Sequence, residues 1–405
     1  MNCREVRRII ADTAYVRTGG SKEELGCAEY LASRCKSLGL QVHLEPFAVK
    51  MYRDVEACLT VDGREIACKG CFGAGNGKVK AGLYYLAGGD SRALKKCKGK
   101  IVLIDRGVGY KLYDKLIENG AVGIVTCNGN LHFSNCDIDR REIRFSLDDT
   151  ARIPWVNIHI KDMFALIKSN AREAELVLLQ TCESGTSHNV IVDLDGESEE
   201  TVVVCAHYDS TELSVGAYDN MTGCIGLLYL AEQLKDIAHT RRVRLLFCGS
   251  EERGLLGSIA YCQAHREELS STILNVNLDM LGSVMGDFNA FSCADEGMVR
   301  LLEQCLAKNR YCGSVKYAIR SSDSNSFVYY GVPAVSFARY APAGAALIHT
   351  RYDRAEDVDA KRLLDDMRVV TSFVKMAILD PSFPTDKNIS ERIAKEVQEY
   401  MTRRL

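Results

Sequence analysis

Four runs in the second half of this chain are almost continuously apolar and of strand length. They are TVVVCA from Thr201, RVRLLFC from Arg242, ILNVNLD from Ile273 and VPAVSFA from Val332. A strand with one wet face alternates polar and apolar residues; these do not, so both of their faces must be covered. Helical patterns such as GCIGLLYLAEQL and GMVRLLEQCLAKN lie between them. From about residue 184 onward the expectation is therefore an α/β fold with a mostly parallel central sheet flanked by helices. A last long helix is expected from about Val358 to Leu379, with Pro381 and Pro384 after it. Beyond them Ile389, Ile393, Val397 and Met401 recur every four residues, which predicts a helical tail that packs on the body or on a partner subunit in a homodimer.

The first 45 residues hold a clear helix. Ser21 and Glu24 have capping-box spacing, Leu25, Ala28, Leu31, Ala32, Cys35 and Leu38 form its apolar stripe, and Gly39 stops it. LQVHLEPF then alternates like a strand up to Pro46. From about 47 to 183 the texture changes to short alternating runs between glycines, with KIVLID and AVGIVTC as buried strands. This segment reads as a β-rich unit with a few helices and no catalytic cluster. Its Trp155, the single tryptophan of the chain, reads as a packed core aromatic.

Bulk properties exclude several classes. With 51 basic and 54 acidic residues, the net charge of -3 lacks the basic surplus of a nucleic-acid binder. No stretch reaches the roughly 18 apolar residues of a membrane span. MNCREVRRIIADTAYVRTGG has no uninterrupted apolar core of a secretory signal, so the cytoplasm is the expected location. The 17 cysteines are scattered through apolar patterns and odd in number, which suits reduced thiols. Cys68 and Cys71 form a lone CxxC without the second pair a zinc finger needs.

The chemistry gathers where strands end. His207 closes TVVVCA, and Asp209 two residues on can hold its second ring nitrogen. Asp219 lies in GAYDN before a glycine-punctuated helix; alone it would read as an N-cap. Glu251 and Glu252 follow RVRLLFC, so one can ligate a metal while the other faces water as a base. Asp279 ends ILNVNLD, where an unpaired carboxylate would be costly. His349 sits in a loop after VPAVSFA, with Asp353 four residues later to orient the site or cap a helix. Imidazole and carboxylate ligands without thiolates suit two catalytic zinc ions, with cobalt or manganese as alternatives.

The order HYD, GAYDN, EE, a strand-terminal Asp and HTRYD resembles the M28 metallopeptidases, among them dizinc aminopeptidases and glutamate carboxypeptidase-like enzymes. SSDSNSFVYYGVPAVSF is similar to that family's SDxxxFxxxGIPA stretch, and RTGGSKEELGCAEYLASRCKSLGLQVHLEPF to its opening helix and strand. KGKIVLIDRGVGYKLYDKLIENGAVGIVTCNG resembles a protease-associated (PA) domain, which the family inserts after that strand. The resemblance implies a discontinuous zinc peptidase domain at 1–46 and 184–384, an inserted PA-like α+β domain at 47–183 and a helical tail at 385–405. It further implies that two Zn2+ ions activate water for hydrolysis of a peptide substrate. His207 and Asp279 would hold one ion, Glu252 and His349 the other, and Asp219 would bridge them, with a cis bond to Asn220. Glu251 would be the general base and Asp209 would orient His207. After GVPAVSF the chain departs from the family's pattern as ARYAPAGAALIH, and there Arg339 or Tyr340, near the site in sequence, is expected to assist the oxyanion or hold the substrate. Aminopeptidase action is the leading expectation. A carboxypeptidase, with Arg320, Arg339 or Arg351 in a basic pocket, stays open. So do a receptor-like binding module without catalysis and a one-zinc enzyme that cyclises N-terminal glutamine.

Overall fold

The computed structural model describes residues 1–147, 151–402 and 404. Asp148, Asp149 and Thr150 of the expected PA-like segment, and Arg403 and Leu405 of the expected tail, lie outside the described residues. The chain divides into two units, one formed by Met1–Val49 with Gly185–Thr402 and the other by Lys50–Ser184. The strands Val42–Val61 and Glu173–Leu194 carry the chain across the two junctions.

In the first unit the strands follow the order Ser314–Tyr317, Asp287–Cys293, Ala334–Tyr340, Thr272–Leu278, Ser198–His207, Arg241–Cys248 and the end of Glu173–Leu194. The pairings Thr272–Leu278 with Ala334–Tyr340, Ser198–His207 with Thr272–Leu278, and Arg241–Cys248 with Ser198–His207 are parallel. Asp287–Cys293 runs antiparallel to Ala334–Tyr340, and Glu173–Leu194 antiparallel to Arg241–Cys248. The central four strands are thus the four apolar runs, all pointing one way.

Alternation along those strands sorts their side chains onto two faces. Val202, Val204, Ala206, Val243, Leu245, Phe247, Val276 and Leu278 pack in a core with the helices Cys3–Asp12, Lys22–Ser37, Thr222–Leu234, Glu296–Lys308 and Ala360–Leu379. Val203, Cys205, Leu246 and Cys248 pack on the other side with Tyr261, Cys262 and Phe327, from the helices Leu256–Ala264 and Ser324–Tyr329. The tail forms the helix Glu391–Met401, and its Ile393, Val397 and Met401 are buried against Leu255, Ile259 and Val328 of its own chain.

Two local expectations are corrected. Ser21 caps its helix by accepting from the Glu24 amide (3.0 Å), but Glu24 does not complete a capping box; its carboxylate accepts from Gly20 N (2.6 Å) and from Ser250. The strand expected to stop at Pro46 continues through it to Val61.

The second unit has its own core. Strands Gly77–Tyr85, Lys100–Ile104, Gly123–Asn128 and Trp155–His159 run parallel in that order, with Cys68–Gly70 antiparallel at the end. Trp155 is buried there, stacks on Tyr113 and donates its indole N–H to Thr126 (2.9 Å). All 17 cysteines are free thiols. Among the described residues no helix is long and apolar enough to cross a membrane.

Candidate metal centre

Parallel strands place their C-terminal ends along one edge, and whatever follows them shares that edge. His207 is the last residue of its strand, opposite Cys248 of the neighbouring strand. Glu251 and Glu252 open a 3-10 turn three residues after that Cys248. Asp279 directly follows Thr272–Leu278, and His349 lies in the loop beyond Ala334–Tyr340. Asp219 stands just ahead of the helix Thr222–Leu234, and the Asp219–Asn220 bond is cis.

The five expected ligands converge. His207 Nε2 lies 3.2 Å from Asp219 Oδ1 and 3.8 Å from Asp279 Oδ1. His349 Nε2 lies 3.2 Å from Asp219 Oδ2 and 3.1 Å from Glu252 Oε1. Asp219 therefore turns one oxygen to each imidazole. Among the described residues the ligand-type atoms form two triads, His207–Asp219–Asp279 and Asp219–Glu252–His349, each with all atoms within 4.8 Å of one another. The His349 side chain is 40% exposed while those of His207, Asp219 and Glu252 are buried, so the pair of triads opens to solvent on the His349 side.

Electrostatics describe a place built for cations. Burial alone would lower the His207 imidazole, yet the carboxylates of Glu251, Asp209, Asp219 and Asp279 outweigh it and push it well above its usual range. His349 is likewise driven to about 11 against its own burial, by Glu252 and Asp219. Burial raises Glu251 well above the normal carboxylate range, with His207 pulling it back and Glu252 adding to the rise. Asp279 Oδ1 is buried with no hydrogen-bond donor among the described residues. Two imidazoles, three carboxylates of which Asp219 is shared, no thiolate and an oxygen left without a proton donor fit a divalent ion of the zinc type.

A further set of residues holds the ligand loops. Asp209 is fully buried, lies 3.4 Å from His207 Nδ1, and accepts from the amides of Glu251 (2.9 Å) and Glu252 (3.1 Å). Asp353 accepts from Tyr218 N (2.7 Å), Asp219 N (3.2 Å) and Ser214 Oγ (3.1 Å), so it fixes the Asp219 turn. Asn220 donates to Leu278 O (2.9 Å) and accepts from Met280 N (3.1 Å), which clasps the residues flanking Asp279. Glu24 accepts from Ser250 N (2.8 Å) and Oγ (3.0 Å) beside Glu251, and burial with the Asp209 charge raises it to about 7.

Arg17, Glu24, Asn220 and Asp323 were absent from the sequence-derived site. Arg17 is fully buried and donates to the carbonyls of Thr13, Tyr15, Tyr208, Val215 and Gly216. Gly216 has φ +56°, and a Cβ there would stand 2.7 Å from the Arg17 guanidinium. Asp323 is fully buried, its oxygens lack hydrogen-bond partners among the described residues, and burial raises it to about 6 despite the pull of His207. Its only sequence signal was its place in the SSDSNS stretch.

Of the two substrate-contact candidates, Arg339 is not brought to the centre. Its guanidinium is committed to Asp366 (2.7 Å), Gly286 O (2.6 Å) and the Tyr311 hydroxyl (2.9 Å). For Tyr340, burial first and then the charges of Asp279 and Asp219 push the hydroxyl upward, against the pull of Arg320.

Residues 189–374 match the family model described as Peptidase family M28. Aminopeptidase YwaD of Bacillus subtilis is 30% identical over 275 residues, covering 66% of this chain and 58% of that protein. Leucine aminopeptidase 2 of Trichophyton equinum is 27% identical over 279 residues, covering 66% and 55%. The chain thus spans little more than half the length of these curated relatives. Among solved structures, BSAP, a zinc aminopeptidase from Bacillus subtilis, superposes with a TM-score of 0.80 at 25% identity, over 97% of this chain and 98% of that one. The aminopeptidase from Aneurinibacillus sp. strain AM-1 gives 0.76 at 25% identity, over 93% and 94%.

Proposed function

From a chain whose residues 189–374 belong to peptidase family M28, we propose a metal-dependent exopeptidase that removes residues from the amino terminus of peptides. One observation carries the proposal: Asp219 offers an oxygen to each of two triads that include an imidazole apiece. The similarity to a zinc aminopeptidase supports zinc, and the paired triads support two ions per chain. His207 and Asp279 would hold one, Glu252 and His349 the other, and Asp219 both. When bound, such ions polarise a carbonyl and lower the pKa of water.

The remaining work falls to this chain's own groups. Glu251 takes a proton from the attacking water and returns it to the departing amine, a task for which a raised carboxyl pKa is suited. Asp209 holds His207 in orientation through its Nδ1 side and fixes both glutamates through their amides. Tyr340, whose hydroxyl feels the charges of Asp279 and Asp219, would donate to the developing oxyanion. We read residues 50–184 as the PA-like insertion, supported by the strand–helix–strand run from Lys100 to Asn128. Seventeen free thiols support a reducing, cytoplasmic setting.

The test is purified protein with zinc, assayed on aminoacyl anilides and on a defined peptide. Shortening from the amino end supports the proposal, and shortening from the carboxyl end replaces it with a carboxypeptidase. Glu251→Gln should lower kcat by about 10²–10⁴-fold with metal content retained. Equal turnover by Glu251→Gln and wild type would remove Glu251 as the base.

A further inference from the structure

We propose, resting on the exopeptidase reading above, that Arg320 is a specificity-determining residue that receives a carboxylate of the substrate. Arg320 is exposed, yet its guanidinium lies over two neighbouring rings, 4.7 Å from the Phe291 centroid and 5.8 Å from that of Tyr340. The two rings are 5.7 Å apart. Its carbonyl accepts from Asn325 Nδ2, two residues from Asp323, which fixes the backbone as well.

This stacked, exposed cation also lacks a counter-charge among the described residues. Arg241, Arg244 and Arg339 each hold a carboxylate, at 2.6, 2.7 and 2.7 Å. Among the described residues the Arg320 side chain makes no hydrogen bond or ion pair. Stacking orients a guanidinium and leaves its N–H edge free to grip a carboxylate in a bidentate fork.

The position lies beside the metal centre. Tyr340 links the two: Tyr218, next to Asp219, donates its hydroxyl to Arg339 O and accepts from Ala341 N (3.3 Å), and Arg339 N donates to Met280 O (2.7 Å), one residue past Asp279. The segment carrying Tyr340 is therefore bolted to both ligand loops, and Arg320 stacks on its outer ring. With two divalent ions bound, the four carboxylates of Asp219, Glu251, Glu252 and Asp279 would be balanced, so the centre would have no spare positive charge to hold an anionic group on a substrate. An unpaired, pre-oriented guanidinium one ring away supplies the charge that would make such a group acceptable. Its source is either the acidic side chain of an N-terminal residue or the terminal carboxylate of a dipeptide.

The experiment uses the full chain loaded with zinc and compares kcat/KM within two substrate pairs: glutamyl against leucyl anilide, and Leu-Gly against Leu-Gly amide. Arg320→Gln should lower one of these ratios by about tenfold or more, chiefly through KM, the size expected for a lost charge-assisted hydrogen bond. Arg320→Lys should recover part of it, and Arg300→Gln, an exposed charge on the helix Glu296–Lys308, should move neither ratio. A fall in the first pair assigns the acidic side chain; a fall in the second assigns the terminal carboxylate. If both ratios stay within twofold of wild type in a folded Arg320→Gln protein, the proposal is overturned. If wild type cleaves none of the four substrates, the exopeptidase reading itself fails and takes the proposal with it.

Discussion

A buried guanidinium that meets no carboxylate among the described residues is an unusual tenant, and Arg17 shows what it does. Its donors gather the carbonyl of Tyr208, between His207 and Asp209, and those of Val215 and Gly216, which lead to Asp219. Arg17→Ala strands these acceptors in a dry interior at roughly 1–3 kcal/mol each. The expected loss is about 3 kcal/mol or more in denaturant unfolding, and Arg17→Lys should restore only a fraction, because one ammonium lacks the fork's reach. None of this was legible in the sequence. Arg17 and Glu24 meet partners some 190 to 230 positions away, and residue patterns encode which face is buried, not which carbonyl waits there. The residues of the two triads were legible for the opposite reason: few residue types bind divalent ions, and strand ends already select the edge on which such side chains can meet. Arg339 misled because nearness in sequence was taken for nearness in space. It neighbours Tyr340 on one strand, and successive residues of a strand point to opposite faces, so the two could not both reach the centre.

At the scale of elements, two contacts carry measurable consequences. His265, just past the helix Leu256–Ala264, pairs with Glu45 at 2.6 Å and with Glu268 at 2.9 Å. The Glu45 bond, against burial, raises its pKa above the ordinary value of 6.5. A raised histidine stabilises the fold fully below its unfolded pKa and loses that contribution as pH rises through the folded pKa. Unfolding midpoints should therefore decline above about pH 6.5 in wild type, and His265→Gln should flatten that part of the profile. The tail helix is the second case. Its four-residue spacing announced an apolar stripe, but a stripe names no partner; the structure supplies one in Leu255, Ile259 and Val328. Ile393 is fully buried, so Ile393→Ala should cost about 2–4 kcal/mol in thermal or denaturant unfolding.

Considered whole, the chain joins a unit crowded with buried carboxylates to another that has its own core and none of the ligand triads. Metal binding should stabilise only the first. Free zinc at 100 times its Kd should add about 2.7 kcal/mol to that unit's unfolding free energy. In calorimetry, chelator should lower the transition of the metal-bearing unit and leave that of residues 50–184 in place; two transitions that shift together would show the units to unfold as one. The sequence changes texture near the junctions, where continuous apolar runs give way to glycine-punctuated alternation, but it does not fix their position, because single strands run through both of them.

Asp219 turns a different oxygen toward each imidazole, so two ions bound there would have to divide a single negative charge. Whichever ion arrived first would claim part of that charge and add repulsion of its own. Loading should then proceed as one tight step and one looser step, and a cell poor in the metal would hold a population of half-filled molecules.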